Sequence, residues 1–185
     1  MKELLENFKP HYQVMAQDAN GSAGGLAMLW NPEEIMFDEW ISLPRIISGK
    51  FQHIGSSEWV MLTGVYGPHI PGERGTFLRN LEKMRSLYLE DLWVVGGDFN
   101  MITSQDEKKG GMRRTVVDME AFGYLIRELH LVDLPKINGI HTWNNRRGGS
   151  HQISSYLDRY LISKQATIRD IFVEASILLC IGSNH

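Results

Sequence analysis

Residues Leu92–Asn100 read LWVVGGDFN: four apolar residues, two glycines, and then an acid and an amide two positions apart. The apolar run predicts a short buried strand, and the glycine pair allows a tight turn after it. Because residues i and i+2 of an extended segment project to the same side, Asp98 and Asn100 are expected to face one cleft. A carboxylate beside a carboxamide suits the orientation of a water molecule and the binding of a phosphate oxygen. An Asx-type turn that closes the strand is the alternative interpretation.

The composition predicts one globular domain that spans residues 1–185. With 43% hydrophobic and 22% charged residues, the chain has the ordinary balance of a folded protein and is long enough to bury a core. The single cysteine, Cys180, cannot form an internal disulfide, which favours the reducing nucleus or cytoplasm. No apolar run is long enough to span a membrane, and the N-terminus lacks the apolar segment of a secretory signal. Since the net charge is −3, any surface that binds nucleic acid must be local.

Strands are predicted together in the first third of the chain, and helices are interleaved with strands afterwards. The predicted strands are Gly24–Trp30, Ile35–Trp40, Ile46–Ile54, Trp59–Tyr66 (an apolar run expected to be covered on both faces), Leu92–Val95, Ser155–Ile162 and Thr167–Val173. Apolar spacing predicts a short opening helix through Leu4, Leu5 and Phe8, a second through Phe77, Leu78, Leu81 and Met84, and a third through Phe122, Leu125, Ile126 and Leu129 with Asp118 as its N-cap. This order favours a layered α/β sandwich over a strict βαβ repeat.

Five short motifs follow one another along the chain. They are VYGP at Val65–Pro68, GDFN at Gly97–Asn100, TWN at Thr142–Asn144, YLDR at Tyr156–Arg159 and SNH at Ser183–His185. Their order and spacing resemble the endonuclease/exonuclease/phosphatase superfamily of metal-dependent phosphodiesterases, and within it the endonuclease domain of plant non-LTR retrotransposons. The resemblance covers nearly the whole chain. It implies a deoxyribonuclease-I-like, four-layered sandwich, with two β-sheets face to face, helices outside them, and an active site at one rim.

The resemblance implies four catalytic roles. By it, His185 assists attack on the phosphorus atom, and Asp158 orients that histidine as carboxylates do in other hydrolases. Asp98 positions or deprotonates the attacking water, and Asn100 holds the scissile phosphate. Structural alternatives exist for two of them, since Asp158 beside Arg159 can form a surface ion pair, and a terminal histidine is by default solvated.

Aromatic and basic side chains are expected to bind the substrate. By the resemblance, Tyr66 contacts phosphate and Trp143 lies near the rim, although either ring can instead serve the packing of the core. Two predicted loops carry six basic residues: Lys108, Lys109, Arg113, Arg114, Arg146 and Arg147. Near the rim they would neutralise DNA phosphates without reading bases, and solvated loops are the alternative. The expected partner is therefore DNA, bound by a monomer.

The match departs from the family at both ends. Family members begin with a strand that bears an asparagine and a strand that ends in a metal-binding glutamate, whereas Met1 follows both, and Glu3 and Glu6 are not substitutes. In place of the family's Ser-Asp-His, Asn184 keeps an oxygen ligand but loses the charge. Because Mg²⁺ prefers carboxylates and water, weak binding of Mg²⁺ (or Mn²⁺) is expected. A last apolar strand is also missing, so terminal strands of the sandwich are expected to be absent.

Three functions remain open from the sequence. The first is a Mg²⁺-dependent DNA endonuclease whose activity is weakened or lost, because the metal supplies charge stabilisation that phosphodiester displacement requires. The second is a non-catalytic remnant of that domain that binds nucleic acid weakly through the two basic loops. The third is a phosphatase that acts on a sugar phosphate or a phosphoinositide, against which the retrotransposon-like body of the chain argues.

Overall fold

The computed structural model describes residues 11–19, 25–88, 92–134 and 141–165. The strands are β1 Gln13–Gln17, β2 Leu26–Trp30, β3 Ile35–Leu43, β4 Ile46–His53, β5 Trp59–Tyr66, β6 Leu92–Asp98, β7 Lys108–Lys109, β8 Leu131–Asp133, β9 Trp143–Asn144, β10 Ser154–Ser155 and β11 Asp158–Ser163. The helices are α1 Pro71–Leu87 and α2 Val116–Glu128, with 3-10 turns at Gln105–Glu107 and Gly149–His151. Within these ranges, no helix has the length and apolar character needed to cross a membrane.

A mixed six-stranded sheet organises the fold, in the order β3-β4-β5-β6-β11-β8. Strands β5 and β6 are parallel and are joined through α1, whereas the other pairs in this sheet are antiparallel. Parallel strands end at the same edge of a sheet, so the last residues of β5 and β6, Tyr66 and Asp98, lie side by side. The antiparallel strand β11 begins at that edge with Asp158. The predicted mixed α/β class is confirmed.

The sheet is covered differently on its two faces. Both helices pack on one face, where α1 contributes Phe77, Leu81 and Met84 and α2 contributes Phe122 and Leu125 to the main core cluster. The β1–β2 hairpin packs on the other face in a smaller cluster formed by Met15, Trp30, Ile47 and Phe51. The six-stranded sheet thus lies between the two helices on one face and the two-stranded sheet on the other.

Helix α2 begins earlier than its predicted cap. The N-cap is Thr115, and Asp118 lies in the first turn, where its carboxylate accepts hydrogen bonds from Thr115 Oγ1 at 2.6 Å and from Arg74 Nη1. The prediction of Asp118 as N-cap is therefore wrong. Its carboxylate pairs with an arginine from α1, and this contact explains why the aspartate lies in the first turn of the helix and not at the N-cap.

The predicted strand Ser155–Ile162 is in fact two strands in different sheets. Strand β10 ends at Ser155, and β11 begins at Asp158 in the six-stranded sheet. The amides of Leu157 and Asp158 both donate to Thr142 Oγ1, at 3.0 and 2.9 Å, where strand pairing is interrupted. The chain crosses from one sheet to the other over this short segment.

The remaining predictions concern the burial of β5, the length of β3 and two elements near the ends of the chain. Strand β5 is covered less fully than expected, because Leu62 is 36% exposed in the described structure. Strand β3 runs on to Leu43 through a register shift between Phe37 and Trp40, which breaks the alternation that sequence patterns use. The predicted opening helix and the predicted strand Thr167–Val173 lie outside the described residues.

Candidate functional site

The edge where β5, β6 and β11 meet brings three predicted site residues into one row. Tyr66 is in register with Asp98 across the parallel pair, and Asp98 is in register with Asp158 across the antiparallel pair. Residues directly opposite each other on neighbouring strands project to the same side of the sheet. We call this set, Tyr66, Asp98 and Asp158, the carboxylate row. Asp98 is buried, at 8% exposed, whereas Tyr66 and Asp158 are partly exposed.

A tight turn places an amide beside the row. The Asn100 amide N–H donates to Asp98 Oδ1 at 2.8 Å, which makes an Asx turn, and Asn100 has a φ of 51° that asparagine tolerates. Asn100 Nδ2 donates to the Gly67 carbonyl at 2.8 Å, which fixes the orientation of the carboxamide. The second N–H and Oδ1 of that carboxamide have no partner among the described residues. The Asx turn and a phosphate-binding amide are therefore compatible.

Two glycines allow the strand ends to approach. A Cβ at Gly67 would lie 1.9 Å from the Phe99 carbonyl oxygen, and a Cβ at Gly97 would lie 2.2 Å from the Val65 carbonyl oxygen. Gly97 also has a φ of 140°, which disfavours other residues. The Gly67 N–H donates to the Asp98 carbonyl at 2.6 Å. The close backbone approach thus fixes the position of the row.

Thr142 positions the start of β11. Its hydroxyl accepts the amide hydrogens of Leu157 and Asp158, and its own amide donates to the Ser155 carbonyl at 3.0 Å. The TWN motif contained this residue, but sequence reasoning gave it no role. The neighbouring Trp143 is half-buried and packs against a cluster that includes Leu157, which supports the packing interpretation of its ring.

A buried arginine beside the row was missed by sequence reasoning. Arg159 is 1% exposed and forms ion pairs with Glu107 and Asp133. The alternative interpretation of Asp158 as half of a surface ion pair with Arg159 does not hold, because Arg159 is buried and pairs with these two acids. The Arg159 guanidinium lies 4.1 Å from the ring centroid of Tyr156.

The same network holds Tyr156 and the turn before β7. The Tyr156 hydroxyl donates to Asp133 Oδ1 at 3.0 Å, and burial together with the adjacent Asp133 carboxylate raises the pKa of Tyr156. Glu107 also accepts hydrogen bonds from the Thr103 amide and hydroxyl, both at 2.7 Å. This network, which we call the Arg159 network, joins β11, β8 and the Gln105–Glu107 turn.

The two predicted basic loops adjoin a single small sheet. Strands β7 and β9 both pair with β10, so that Lys109 lies opposite Ser154 and Asn144 lies opposite Ser154 on the other side. We call this three-stranded sheet, β7-β10-β9, the basic sheet. The exposed basic residues on it or on the loops that follow are Lys109, Arg113, Arg146 and Arg147. Strand β10 leads directly into the segment before Asp158, so the basic sheet adjoins the carboxylate row.

Lys108 and Arg114 differ from these exposed cations. The Lys108 ammonium donates to the carbonyls of Gly110 and Met112, the latter at 2.7 Å. Burial, and then the positive charge of Arg114, lowers the pKa of Lys108. Arg114 is partly buried, and its pKa is lowered by that burial first and by Arg74 second. Lys108 and Arg114 are thus less exposed to solvent than the four cations of the basic sheet.

The predicted metal site cannot be built from the described residues alone. Within residues 11–19, 25–88, 92–134 and 141–165, no group of three or more histidine, cysteine, aspartate or glutamate side chains is placed to hold a metal ion. His185 and Asn184, the predicted catalytic histidine and metal ligand, lie outside these residues.

Comparison with known proteins identifies the fold. No family model and no curated protein sequence matches this chain. Among solved structures, the endonuclease domain of TRAS1, a telomere-specific non-LTR retrotransposon, superposes with a TM-score of 0.63 at 14% identity, over 90% of this chain and 80% of that one. An endonuclease/exonuclease/phosphatase protein from Bacteroides vulgatus has a TM-score of 0.59 at 15% identity, over 88% of this chain and 69% of that one. The mannosyl-6-phosphatase Bt3783 of Bacteroides thetaiotaomicron has a TM-score of 0.57 at 15% identity, over 88% and 66%. The chain therefore has the predicted deoxyribonuclease-I-like fold, which nucleases and phosphatases share.

Proposed function

We propose that this chain, which has the fold of the endonuclease/exonuclease/phosphatase proteins, is a DNA phosphodiesterase domain of the plant non-LTR retrotransposon type. The carboxylate row carries the proposal, because it sets two acids and a phenol side by side with the Asn100 amide. In this proposal Asp98 orients and deprotonates the attacking water, and Asn100 and Tyr66 hold phosphate oxygens. Asp158 orients His185, which stabilises the developing charge.

The distribution of positive charge favours a nucleic-acid substrate. The chain is acidic overall, with a net charge of −3, yet exposed cations converge on the basic sheet next to the row. A polynucleotide presents a repeating series of phosphates, and an extended basic surface matches that series. A small sugar phosphate or phosphoinositide presents fewer charges and needs no such surface. The fold itself does not distinguish a nuclease from a phosphatase, since a mannosyl-6-phosphatase shares it.

The proposed cofactor is Mg²⁺, with Mn²⁺ as the alternative. When bound, the ion would supply charge stabilisation at the phosphate. Since Asn184 stands where the family has an aspartate and lacks its charge, we propose weak binding and a low rate of hydrolysis.

Nicking of supercoiled plasmid DNA tests this function. The chain is expected to nick DNA slowly in Mg²⁺ or Mn²⁺, and EDTA is expected to stop the reaction. Asp98→Asn keeps an oxygen that can accept the Asx-turn hydrogen bond but removes the proposed base, so it is expected to lower the rate by about 100-fold or more. Asp106→Asn removes a carboxylate from an exposed position of the adjacent turn and serves as the matched control. Nicking that survives Asp98→Asn at the original rate would overturn the proposal.

A non-catalytic remnant that binds nucleic acid is the second candidate. The observation in its favour is that Asn184, a neutral residue, stands where the family has an aspartate that binds the metal. It predicts salt-dependent DNA binding by the folded chain without cleavage at any concentration of Mg²⁺ or Mn²⁺. Binding without nicking would favour this remnant, whereas nicking that EDTA stops would exclude it.

A further inference from the structure

The loop between β7 and α2 carries the most exposed large apolar side chain of the described residues. Met112 is 90% exposed, whereas the other large apolar side chains at the surface range from 36% to 74%. The exposed cations Lys109 and Arg113 flank it in the sequence. Single apolar side chains are common at protein surfaces, so exposure alone does not define a role. What distinguishes Met112 is the way in which its loop is held.

Two consecutive glycines determine the path of the chain up to Met112. Gly110 and Gly111 have φ values of 74° and 65°, which other residues rarely adopt. A Cβ at Gly110 would lie 2.1 Å from the Gln152 carbonyl oxygen, and a Cβ at Gly111 would lie 2.7 Å from Ile153 Cδ1. The turn therefore packs directly against the segment that precedes β10.

Hydrogen bonds hold the loop on both sides of Met112. The Lys108 ammonium donates to the Gly110 carbonyl and, at 2.7 Å, to the Met112 carbonyl. Beyond Met112, Gln105 Nε2 donates to the Arg114 carbonyl at 2.9 Å. The backbone of Met112 is thus fixed while its side chain remains in solvent. Because the backbone is already ordered, little conformational freedom would be lost when a ligand covers the side chain.

The surroundings of Met112 favour duplex DNA as that ligand. The loop continues directly from strand β7 of the basic sheet, and Lys109 and Arg113 place positive charge before and after the apolar side chain. The apolar surface of a protein partner would make no use of these cations. Duplex DNA offers both kinds of contact, since phosphates border each groove and stacked bases with apolar faces lie between them. Architectural DNA-binding proteins insert apolar side chains, methionine among them, between base steps.

We propose that Met112 is a wedge that inserts between two base pairs of bound duplex DNA, while Lys109 and Arg113 contact the phosphates beside it. The inference rests on the proposed function, because it takes DNA as the substrate. Insertion partly unstacks one base step and kinks the duplex, and a kinked duplex can wrap more of the protein surface. Met112 is therefore a positioning residue, which helps the duplex to contact the basic sheet and the adjoining carboxylate row together.

Fluorescence of 2-aminopurine tests the insertion directly. A short duplex carries this base at several pyrimidine–purine steps, which are the easiest to unstack, and its emission rises when stacking is lost. The titration is carried out in EDTA so that no strand is cleaved. Binding of the chain is expected to raise the emission. Met112→Leu, which keeps an apolar side chain of similar size, should retain the rise, whereas Met112→Ala should abolish it.

Fluorescence anisotropy of the same duplex, labelled with fluorescein, separates an apolar contact from a charged one. Met112→Ala should weaken binding by about fivefold or more, because an apolar contact is lost. It should leave the slope of log Kd against log salt concentration unchanged, because no charge is removed. The Tm should also stay the same, since the side chain is exposed. Met36→Ala, the matched change at an exposed methionine of β3, should alter neither emission nor affinity.

The possible results distinguish failure of the wedge from failure of the proposed function. Binding of the duplex without a rise in emission, or unchanged affinity of Met112→Ala, would overturn the wedge and leave the proposed function intact. A loss of affinity accompanied by a smaller salt slope, or an equal loss in Met36→Ala, would also overturn the wedge, since the substitution would then act through the charged surface or the whole protein. If the unaltered chain does not bind the duplex at all, both proposals fail.

Discussion

The carboxylate row and the basic sheet adjoin each other but are held in different ways. The row lies at the ends of long paired strands and is fixed by backbone contacts that exclude even a methyl group at Gly67. The basic sheet consists of two-residue strands, and its exposed cations lie on these strands or on the loops that follow them. Rigid placement suits groups that must meet a reacting atom within a fraction of an ångström, whereas phosphate contacts at a distance tolerate adjustment. Substitutions that disturb the row are therefore expected to lower the stability of the protein. Substitutions in the basic sheet are expected to weaken the binding of nucleic acid and to leave stability nearly unchanged.

Gly67→Ala should have the largest effect, because it acts on the backbone that fixes the row. The added Cβ would lie 1.9 Å from the Phe99 carbonyl oxygen, and no flexible side chain can move to relieve the clash. We expect the free energy of unfolding to fall by about 3 kcal/mol or more. Denaturation by urea measures the change.

Gly72→Ala is the matched control, since nothing lies within 4 Å of a Cβ built there, near the start of α1. It should leave the protein as stable as before or stabilise it by about 0.5 kcal/mol. Equal effects of the two alanines would show that the close approach of β5 and β6 does not determine the position of the row.

The Arg159 network joins the two regions, and Arg159→Met should have the second-largest effect. The change leaves the partly buried carboxylates of Glu107 and Asp133 without their shared cation. We expect a loss of about 2–3 kcal/mol in the free energy of unfolding, below the value for a fully buried pair because both acids retain some contact with solvent. Arg127→Met, which removes an exposed arginine from α2, should cost no more than about 0.5 kcal/mol.

A double-mutant cycle with Glu107→Gln sharpens this prediction. If the ion pair ties the turn before β7 to β11, the two losses should fall short of additivity by about 0.5 kcal/mol or more. Strict additivity would mean that the basic sheet is anchored independently of the row.

Tyr156→Phe should have a smaller effect that depends on pH. At neutral pH the change removes the hydroxyl donor to Asp133, with an expected cost of about 1 kcal/mol. Because burial and Asp133 raise the pKa of Tyr156 in the folded state, the protonated hydroxyl contributes stability that is complete below about pH 10, the ordinary tyrosine pKa, and is lost above it. The difference in unfolding free energy between the two proteins should therefore shrink above pH 10. A constant difference up to pH 11 would contradict the burial of this hydroxyl.

Sequence reasoning placed Asp98 and Asn100 in one cleft because the information is local, whereas Tyr66 and Asp158 were assigned to the site only through the family resemblance. The apolar run before Asp98 specifies a strand, the two glycines specify the turn, and the period of two places Asp98 and Asn100 together. Helices α1 and α2 were predicted for the same reason, since their apolar spacing is repeated over several turns. The Asx turn was also foreseen, as an alternative that the structure combines with the site.

The features that sequence reasoning missed depend on distant pairs. Arg159 is 52 residues from Glu107 and 26 from Asp133, so no local pattern marks them as partners. The strands of the basic sheet are two residues long, which is too short for an alternation to be visible. The basic loops were identified by composition, but only the pairing of β7 and β9 with β10 brings them to one surface.

The smallest effect on stability should come from the basic sheet itself, where binding should change instead. Lys109 and Arg147 are exposed, so replacing both with alanine should alter the free energy of unfolding by no more than about 0.5 kcal/mol. If each contacts one phosphate, the double variant should bind single-stranded DNA more weakly, with a slope of log Kd against log salt concentration reduced by about 1.4. Fluorescence anisotropy across a salt series measures both quantities, and the control variant, Lys83→Ala, removes an exposed charge from α1. A weaker affinity with an unchanged salt slope would mean that these side chains support the loops rather than contact phosphates, and the distinction between a rigid row and an adjustable basic surface would then fail.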